Sequence, residues 1–314
     1  MKYKDINTIY EGRAEKIMAD IEPESIALSF WSPPYFVGKD YEKDETFEGW
    51  QMMLEKVIAM HEKILKPGGF MVINIADILC YPDPSIPRFQ ALNIQKQRVA
   101  ITRETILEAK LAHPNFNRNQ LAKLLGCSEQ TIDRRLNGNN IRGGKHQAET
   151  RVLLVGGNLE KYAYKHGLYL YDKRIWAKDP TWANSRWTNN TLKAVSEFED
   201  LYVFWKPGQQ TIDRNKLTQD EWRKWGLRGI WNVKSVRSNL DHEAQYPVEL
   251  AERVVRLYSD TGDTVLDPFI GSGTTAIAAA KHKRNYIGID KELKYVYLSR
   301  RNIDNATKQL KLLD

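Results

Sequence analysis

The stretch that decides the fold is TVLDPFIGSGTTAIAAAK, residues 264–281. The apolar and β-branched run at 264–266 predicts a short strand, and the alanine-rich run at 276–281 predicts a helix. Between them, Gly271 and Gly273 allow a ligand to approach the backbone closely, and the start of the helix offers N–H groups without partners. A strand, a glycine-rich turn and a helix in this order predict a ligand-binding corner.

The glycine turn favours a nucleoside-type ligand. Residues 271–276, GSGTTA, fit the loose dinucleotide pattern G-x-G-x-x-A. Asp290 follows the next predicted strand, where a carboxylate can hold ribose hydroxyls. The G-K-[ST] element of phosphate-binding loops is missing from the turn. A purely structural turn remains the alternative, because the pattern by itself is short.

A second turn, Ser32-Pro33-Pro34-Tyr35, ends the predicted strand 25–31. Two prolines stiffen the backbone just past a strand end, which is where ligands bind in open parallel sheets. The Ser32 hydroxyl and the Pro33 carbonyl are acceptors, and Tyr35 offers a flat ring. These groups suit a planar base with an exocyclic amine. The alternative is a proline turn with an incidental aromatic residue.

Other segments extend the alternation of strands and helices. A helix is predicted over 46–65, with Lys66-Pro-Gly-Gly69 as its stop, and a buried strand over 70–75. After position 239 an amphipathic helix is predicted over 247–258, a strand over 286–289 and a last helix over 293–310. This alternation predicts an α/β fold whose mostly parallel sheet is covered on both faces.

The middle of the chain differs in charge and pattern. The 314 residues carry a net charge of 47 − 40 = +7, but positions 110–239 hold 23 basic and 12 acidic residues, a net of +11. That excess predicts a polyanionic partner, with a solvated basic face as the alternative. A helical stretch is predicted over 91–111, followed by two short helices within 119–136 that turn at Gly126. Seven of the nine tryptophans fall between 176 and 231, and we interpret them as core rather than as a platform for stacked bases.

Composition excludes several classes of protein. Cys80 and Cys127 are the only cysteines, so a disulfide framework and a zinc-spaced cluster are both excluded. No apolar run is long enough to span a membrane, and residues 1–16 lack the apolar core of a signal peptide. We therefore expect a cytoplasmic protein with no metal site and no membrane partner.

Taken together, the motifs resemble those of S-adenosylmethionine-dependent DNA amino-methyltransferases. Residues 267–275 read as the family's cofactor motif D-P-F-x-G-S-G-T-T, and residues 32–35 as its catalytic motif [DNS]-P-P-[YFW]. Their order along the chain is that of the permuted β group. In the segment 9–14 the family commonly has G-D-A, whereas this chain has Arg13 in place of the acidic residue. Tyr246-Pro247 stands where many relatives have Lys-Pro.

The resemblance implies a Rossmann-like methyltransferase sheet, mixed and mostly parallel, with helices on both faces and an inserted helical, basic target-recognition region. It implies a catalytic half at 1–85, the insertion at 86–198, and a closing strand with the cofactor half at 199–314. The implied catalytic residues are Ser32, Pro33, Pro34 and Tyr35. The implied contacts to S-adenosyl-L-methionine are Asp267, Pro268, Phe269, Gly271, Ser272, Gly273, Thr274 and Asp290. Double-stranded DNA is the implied partner; a cognate restriction endonuclease acting separately and a homodimer are both left open.

Within the insertion, residues 119–137 resemble a helix-turn-helix. Ser128 is expected to cap the second helix, whose side chains can reach base edges and phosphates in the major groove. The implied DNA contacts are Gln130, Thr131, Arg134 and Arg135. A small helical pair with solvated arginines is the alternative.

A neutral Ser32 at the first motif position goes, in this family, mostly with the N4 amine of cytosine. Transfer to N6 of adenine is the alternative within the family. A non-enzymatic DNA-binding regulator on the same fold is the alternative of another class. A nicotinamide-dependent dehydrogenase leaves the Ser32–Tyr35 motif unexplained, and methyltransferases that act on protein glutamine favour Asn where this chain has Ser32.

Overall fold

The computed structural model describes residues 4–36, 46–87, 101–137, 150–179, 194, 196–236 and 245–311. The chain divides into two compact units. The first comprises residues 1–79, 152–180 and 196–314, and the second comprises 80–151 and 181–195. The predicted insertion at 86–198 therefore includes residues 152–180, which lie in the first unit.

An eight-stranded sheet forms the centre of the first unit, in the order β1-β10-β9-β2-β3-β7-β6-β8. β7 runs antiparallel to both of its neighbours, and the other pairings are parallel. β4 and β5 form a second sheet of two strands. The strands are β1 Thr8–Glu11, β2 Ile26–Trp31, β3 Leu65–Ile75, β4 Ile78–Pro82, β5 Thr150–Leu153, β6 Tyr169–Ala177, β7 Phe198–Trp205, β8 Ile230–Asn232, β9 Thr264–Asp267 and β10 Asn285–Asp290.

Helices follow most of the strands. They are α1 Ala14–Ile17, α2 Phe47–Ile64, α3 Arg103–Ala112, α4 Arg118–Leu124, α5 Glu129–Asn137, α6 Gly156–Lys165, α7 Gln219–Glu221, α8 Val248–Tyr258, α9 Thr274–Lys281 and α10 Leu293–Lys311. Among the described residues, no helix combines the length and the apolar character needed to cross a membrane.

Both faces of the sheet are covered, as β2 illustrates. Leu28 and Phe30 point to one face, where they join a core cluster with residues of α8 such as Leu250. Ser29 points to the opposite face, where its hydroxyl bonds the buried His61 of α2 at 2.8 Å. Every residue of β2 is buried, as expected for a central strand of a parallel sheet. The predicted α/β fold with helices on both faces is confirmed.

The helix predicted over 46–65 does end before Lys66-Pro-Gly-Gly69, but the strand predicted over 70–75 begins five residues earlier than expected. The helix ends at Ile64, and β3 begins at Leu65 and runs through the glycines. Gly68 has φ +83°, and the pairing of β2 with β3 shifts register just after Ile26. A Cβ on Gly69 would lie 3.0 Å from the Ala27 carbonyl oxygen. The glycines therefore let an irregular strand start pack closely against β2, which a reading of Pro and Gly as breakers does not foresee.

The tryptophans of the middle segment are core residues wherever they are described. Trp176, Trp225 and Trp231 are buried in the cluster under α8, and Trp205 and Trp222 pack against it. The Arg174 guanidinium lies 5.0 Å from the Trp231 ring centre. The interpretation as core is thus confirmed for these five, while Trp182 and Trp187 lie outside the described residues.

Candidate active site

The two predicted motifs lie at one edge of the sheet, because they follow the carboxyl ends of neighbouring parallel strands. β2 leads into Ser32, and β9 leads from Asp267 into the glycine turn; Ser29 pairs with Leu266. The turns also touch. The Trp31 and Phe269 ring centres are 5.4 Å apart, and the Thr275 hydroxyl oxygen lies 3.3 Å from the Phe30 carbonyl oxygen.

The first region, here called the catalytic edge, comprises residues 32–35 with Asn74, Lys178 and Glu199. The proline turn is held from one side by α2, since the Trp50 indole N–H donates to the Pro34 carbonyl at 2.7 Å. The Ser32 hydroxyl donates to the Tyr35 hydroxyl at 3.3 Å, which in turn donates to Glu199 Oε2 at 2.7 Å. Both hydroxyls therefore have a fixed orientation.

Glu199 collects donors from three separate segments. Besides Tyr35, the Asn74 amide at the end of β3 donates to Oε2 at 2.7 Å, and Lys178 Nζ lies 2.5 Å from Oε1. Asn74 is 1% exposed and Glu199 8% exposed. The side-chain oxygen of Asn74, Oδ1, is buried without a hydrogen-bond partner among the described residues. The sequence did not predict Asn74, Lys178 or Glu199 as part of the site. The one signal for them was a carboxylate at the start of the apolar strand β7.

The second region, here called the cofactor corner, comprises residues 267–275 with Asp290. Asp267 is buried at the end of β9 and accepts from the Phe269 N–H at 2.9 Å, the Thr275 hydroxyl at 2.7 Å and the Tyr246 hydroxyl at 3.1 Å. Burial raises the pKa of Asp267 to about 7, although these donors lower it in part. Tyr246 thus supplies a neutral donor to the carboxyl, where a lysine would bring a charge.

Asp290 closes the other side of the glycine turn. One carboxylate oxygen accepts from the Gly271 N–H at 3.1 Å, and the other accepts from the Glu292 N–H at 2.9 Å. Burial raises the pKa of Asp290 above its usual range. Gly273, with φ +92°, precedes α9, and no side chain caps this helix start. The turn therefore combines a contact to an acidic group with a helix N-terminus that no side chain caps.

Residues of the corner divide into those that shape it and those with surface left. Asp267, Ser272 and Thr274 are buried, with their polar atoms bonded inside the turn. Phe269 and Asp290 keep partial exposure. An aromatic ring next to a carboxylate with lone pairs to spare suits a nucleoside whose base stacks and whose hydroxyls donate. The corner therefore fits the nucleoside end of S-adenosylmethionine.

The segment 9–14 reaches the same corner. Gly12 N–H donates to the Asp290 carbonyl at 2.9 Å. The Arg13 side chain is 59% exposed and pairs with Glu15 at 2.7 Å, in the place where the family has an acid. Among the described residues, no group of three His, Cys, Asp or Glu side chains is arranged to hold a metal ion.

The second unit contains the predicted helix-turn-helix segment as α4 and α5. Asn117 caps α4, and the Ser128 hydroxyl accepts from the Thr131 N–H at 3.2 Å, which confirms the predicted cap of α5. Ile106, Leu121 and Ile132 bury a small core between three helices. The predicted contact residues all lie on α5: Gln130 and Arg135 exposed, Thr131 partly exposed, and Arg134 with its side chain outside the described residues.

Comparisons of the sequence with a family profile and with known proteins indicate the same family. The sequence profile of the N6/N4 DNA methylase family matches residues 26–301. The type II methyltransferase M.BglI of Bacillus subtilis is 59% identical over 302 residues, which cover 96% of this chain and 87% of that protein.

Solved structures show the same fold. TTHA0409 of Thermus thermophilus, in complex with S-adenosyl-L-methionine, has a TM-score of 0.61 at 23% identity, and the match covers 95% of this chain and 93% of that one. PvuII DNA methyltransferase, described as cytosine-N4-specific, has a TM-score of 0.59 at 16% identity, covering 98% and 93%. The profile match and the identity with M.BglI, together with the paired motifs, place the chain in the N6/N4 DNA methylase family, whose members of the β group are S-adenosylmethionine-dependent DNA methyltransferases.

Proposed function

We propose that this chain methylates the exocyclic N4 amine of a cytosine turned out of double-stranded DNA, as the modification enzyme of a restriction–modification system. The name of M.BglI, a type II methyltransferase, supports the second part. The observation that carries the first part is the orientation of Ser32. Its hydroxyl donates to Tyr35 at 3.3 Å, which leaves the lone pairs of the Ser32 oxygen to accept from an amine. The choice of cytosine over adenine is supported by the residue type, since a serine at this motif position goes, in this family, mostly with the N4 amine of cytosine.

An exocyclic amine is a poor nucleophile, because its lone pair is delocalised into the ring. Ser32 Oγ and the Pro33 carbonyl would accept its two hydrogens and hold them out of the ring plane, which returns the lone pair to nitrogen. The Pro34 carbonyl is engaged by Trp50, which fixes the turn. Holding the reacting groups in this way can contribute several kcal/mol of barrier lowering. Because the amine is held for direct attack, no covalent enzyme intermediate is needed.

The Tyr35 ring would stack on the extruded base and recover part of the few kcal/mol that extrusion costs. Its hydroxyl is anchored by Glu199 at 2.7 Å, so the ring offers a fixed face. At the cofactor corner, Phe269 and Asp290 would hold the nucleoside of S-adenosylmethionine, and the buried residues 267, 268 and 271–274 would keep the turn in shape. When bound, this cofactor supplies an electrophilic methyl group.

DNA would be contacted by α5 of the second unit, through Gln130, Thr131, Arg134 and Arg135. Support comes from its exposed polar face and from the cap by Ser128, a side-chain set suited to phosphates and base edges. The Arg118–Asp133 pair at 2.7 Å braces α4 against α5, which suits a rigid reading helix.

Nucleoside mass spectrometry of DNA treated with the protein and S-adenosylmethionine tests the proposal. We expect N4-methylcytosine. N6-methyladenine alone would contradict the choice of base, and unmodified DNA would contradict the activity. Sequencing that detects modified bases, run on DNA from cells expressing the chain, would then give the target site.

A further inference from the structure

The hydrogen bonds at the catalytic edge run in one direction. Ser32 donates to Tyr35, and Tyr35 donates to Glu199, a group that only accepts when ionised. The direction of the Ser32 hydroxyl is therefore set by the Glu199 carboxylate, which lies at the other end of this chain of hydrogen bonds and acts through Tyr35. Without that carboxylate, either hydroxyl could rotate, and Ser32 could point its hydrogen toward the substrate amine.

Two neighbouring side chains hold the Glu199 carboxylate in position. Lys178 and Asn74 approach from β6 and β3, with Nζ 2.5 Å from Oε1 and the amide nitrogen 2.7 Å from Oε2. The ion pair is largely shielded, since the side chains of Lys178 and Glu199 are 17% and 11% exposed. Asn74 Nδ2 also lies 3.5 Å from the Tyr35 hydroxyl. A carboxylate that receives donors on both oxygens has little freedom to turn away from Tyr35.

We propose that Glu199 is a positioning residue for methyl transfer: acting through Tyr35, it keeps Ser32 an acceptor and receives the proton that the methylated amine must lose. This rests on the proposed function. In the reaction the amine nitrogen forms its bond to the methyl carbon, while the carbon–sulfur bond breaks and its electron pair stays on sulfur. The nitrogen then carries one proton too many.

That proton has a path along bonds already present. It moves to Ser32 Oγ as the Ser32 proton moves to Tyr35 and the Tyr35 proton moves to Glu199 Oε2. The atoms balance, because one proton leaves nitrogen and one carboxylate becomes a carboxylic acid. The positive charge that the sulfonium loses is matched by the negative charge that Glu199 loses.

Asp267, a buried carboxyl of the neighbouring cofactor corner, is committed elsewhere. Its oxygens accept from the Phe269 N–H and from the hydroxyls of Thr275 and Tyr246. The path also depends on a tyrosine at the fourth motif position. Phe or Trp, which the motif also allows, has no hydroxyl there, so the role of Glu199 belongs to chains that carry Tyr35.

The test compares Glu199→Gln, Tyr35→Phe and the double variant in single-turnover methyl transfer on a duplex that carries the target site. We expect each single variant to be slower by roughly ten- to a hundredfold, the loss typical of one hydrogen bond to a charged group. The double variant should be no slower than the slower single one, because the path is already broken. DNA affinity without cofactor, and the fluorescence of a base analogue that reports extrusion, should stay within about twofold of wild type.

Glu252→Gln is the matched control, because Glu252 also pairs with a lysine, Lys281, but lies on α8 away from the motifs. It should keep the wild-type rate. If Glu199→Gln folds poorly, Tyr35→Phe still decides, since it removes one hydroxyl and leaves the ion pair intact. Wild-type rates in either single variant, or losses that add in the double variant, would overturn the role of Glu199. A wild-type protein that methylates no DNA would instead overturn the proposed function.

Discussion

The cofactor corner and the catalytic edge are neighbours in the sheet but are built differently. At the corner, both partners of several contacts lie within a single stretch of nine residues, 267–275, as when Asp267 accepts from Phe269 and Thr275. At the edge, Tyr35 meets side chains that are 39 and 164 positions distant in sequence. The cofactor corner can therefore be recognised from one motif, whereas the contacts of the catalytic edge exist only after the sheet has formed.

Polar groups also serve different ends in the two regions. Burial at the corner raises the pKa of Asp267 to about 7, so this carboxyl is partly protonated at neutral pH and acts within the turn. Glu199 at the edge is paired with a lysine and directs two hydroxyls toward one side. We therefore expect the corner to govern shape and cofactor affinity and the edge to govern rate, and the following predictions test that division.

Ser32→Ala should have the largest effect. Removing the acceptor should slow methyl transfer by at least about a hundredfold, as the loss of a positioned polar group in an active site commonly does. Affinity for DNA and for S-adenosylmethionine should change by less than about threefold. Single-turnover rates and equilibrium binding measure the two quantities separately. Ser25→Ala, which lies just before β2, is the control. Equal turnover of Ser32→Ala and wild type would show that the catalytic edge does not contribute to catalysis.

Asp267→Asn should change how stability depends on pH. The folded protein holds the Asp267 proton up to about pH 7, whereas an unfolded aspartate loses it near pH 4. Unfolding therefore releases a proton between these values, and this group makes the free energy of unfolding fall as pH rises through that window. Asn cannot ionise, so the variant should gain up to about 4 kcal/mol relative to wild type between pH 4 and pH 8.

Denaturant unfolding of both proteins at each pH measures that gain. Asp290, whose charge also raises the pKa of Asp267, remains in both proteins, so the difference reports Asp267 together with its coupling to Asp290. A constant difference across the window would show that burial at the corner does not raise the pKa of Asp267.

Gly273→Ala should cost stability at the corner by about 1–3 kcal/mol, because an alanine must adopt φ +92° there. The new Cβ would also lie 3.1 Å from the Ser299 backbone, so α10 must give way. Gly262→Ala is a close control, since it has φ +87° and nothing within 4 Å of the new Cβ. Gly273→Ala should be the less stable of the two and should bind the cofactor more weakly; equal midpoints in thermal unfolding would mean that α10 does not confine the turn.

Arg135→Ala should have the smallest effect, outside both regions. Loss of one phosphate contact should weaken DNA binding modestly and lower the slope of log affinity against log salt by about one. Lys224→Ala controls for charge, because Lys224 is an exposed cation already paired with Asp220. A slope equal to that of wild type would favour a small helical unit with solvated arginines, and DNA contact would have to be sought elsewhere.

Much of the fold could be read from the sequence, because its elements are local. The β2 strand, the helix capped by Thr46 and the turn at Gly273 each depend on residues within a few positions, and each is confirmed. The start of β3 could not be read in this way. Gly69 lies close to the Ala27 carbonyl, and Gly68 lies close to the backbone of Gln209; these contacts form only when the chain has folded.

The sequence by itself determined the family, the sheet with its two motifs, and the cofactor, because each of these can be recognised from the residues of short segments. Only the tertiary structure decided that Asn74, Lys178 and Glu199 meet at Tyr35 and give Ser32 its direction. Their residue types occur throughout any soluble chain. What distinguishes these three is burial beside a hydroxyl supplied by another strand, and the registers of β3, β6 and β7 establish that burial.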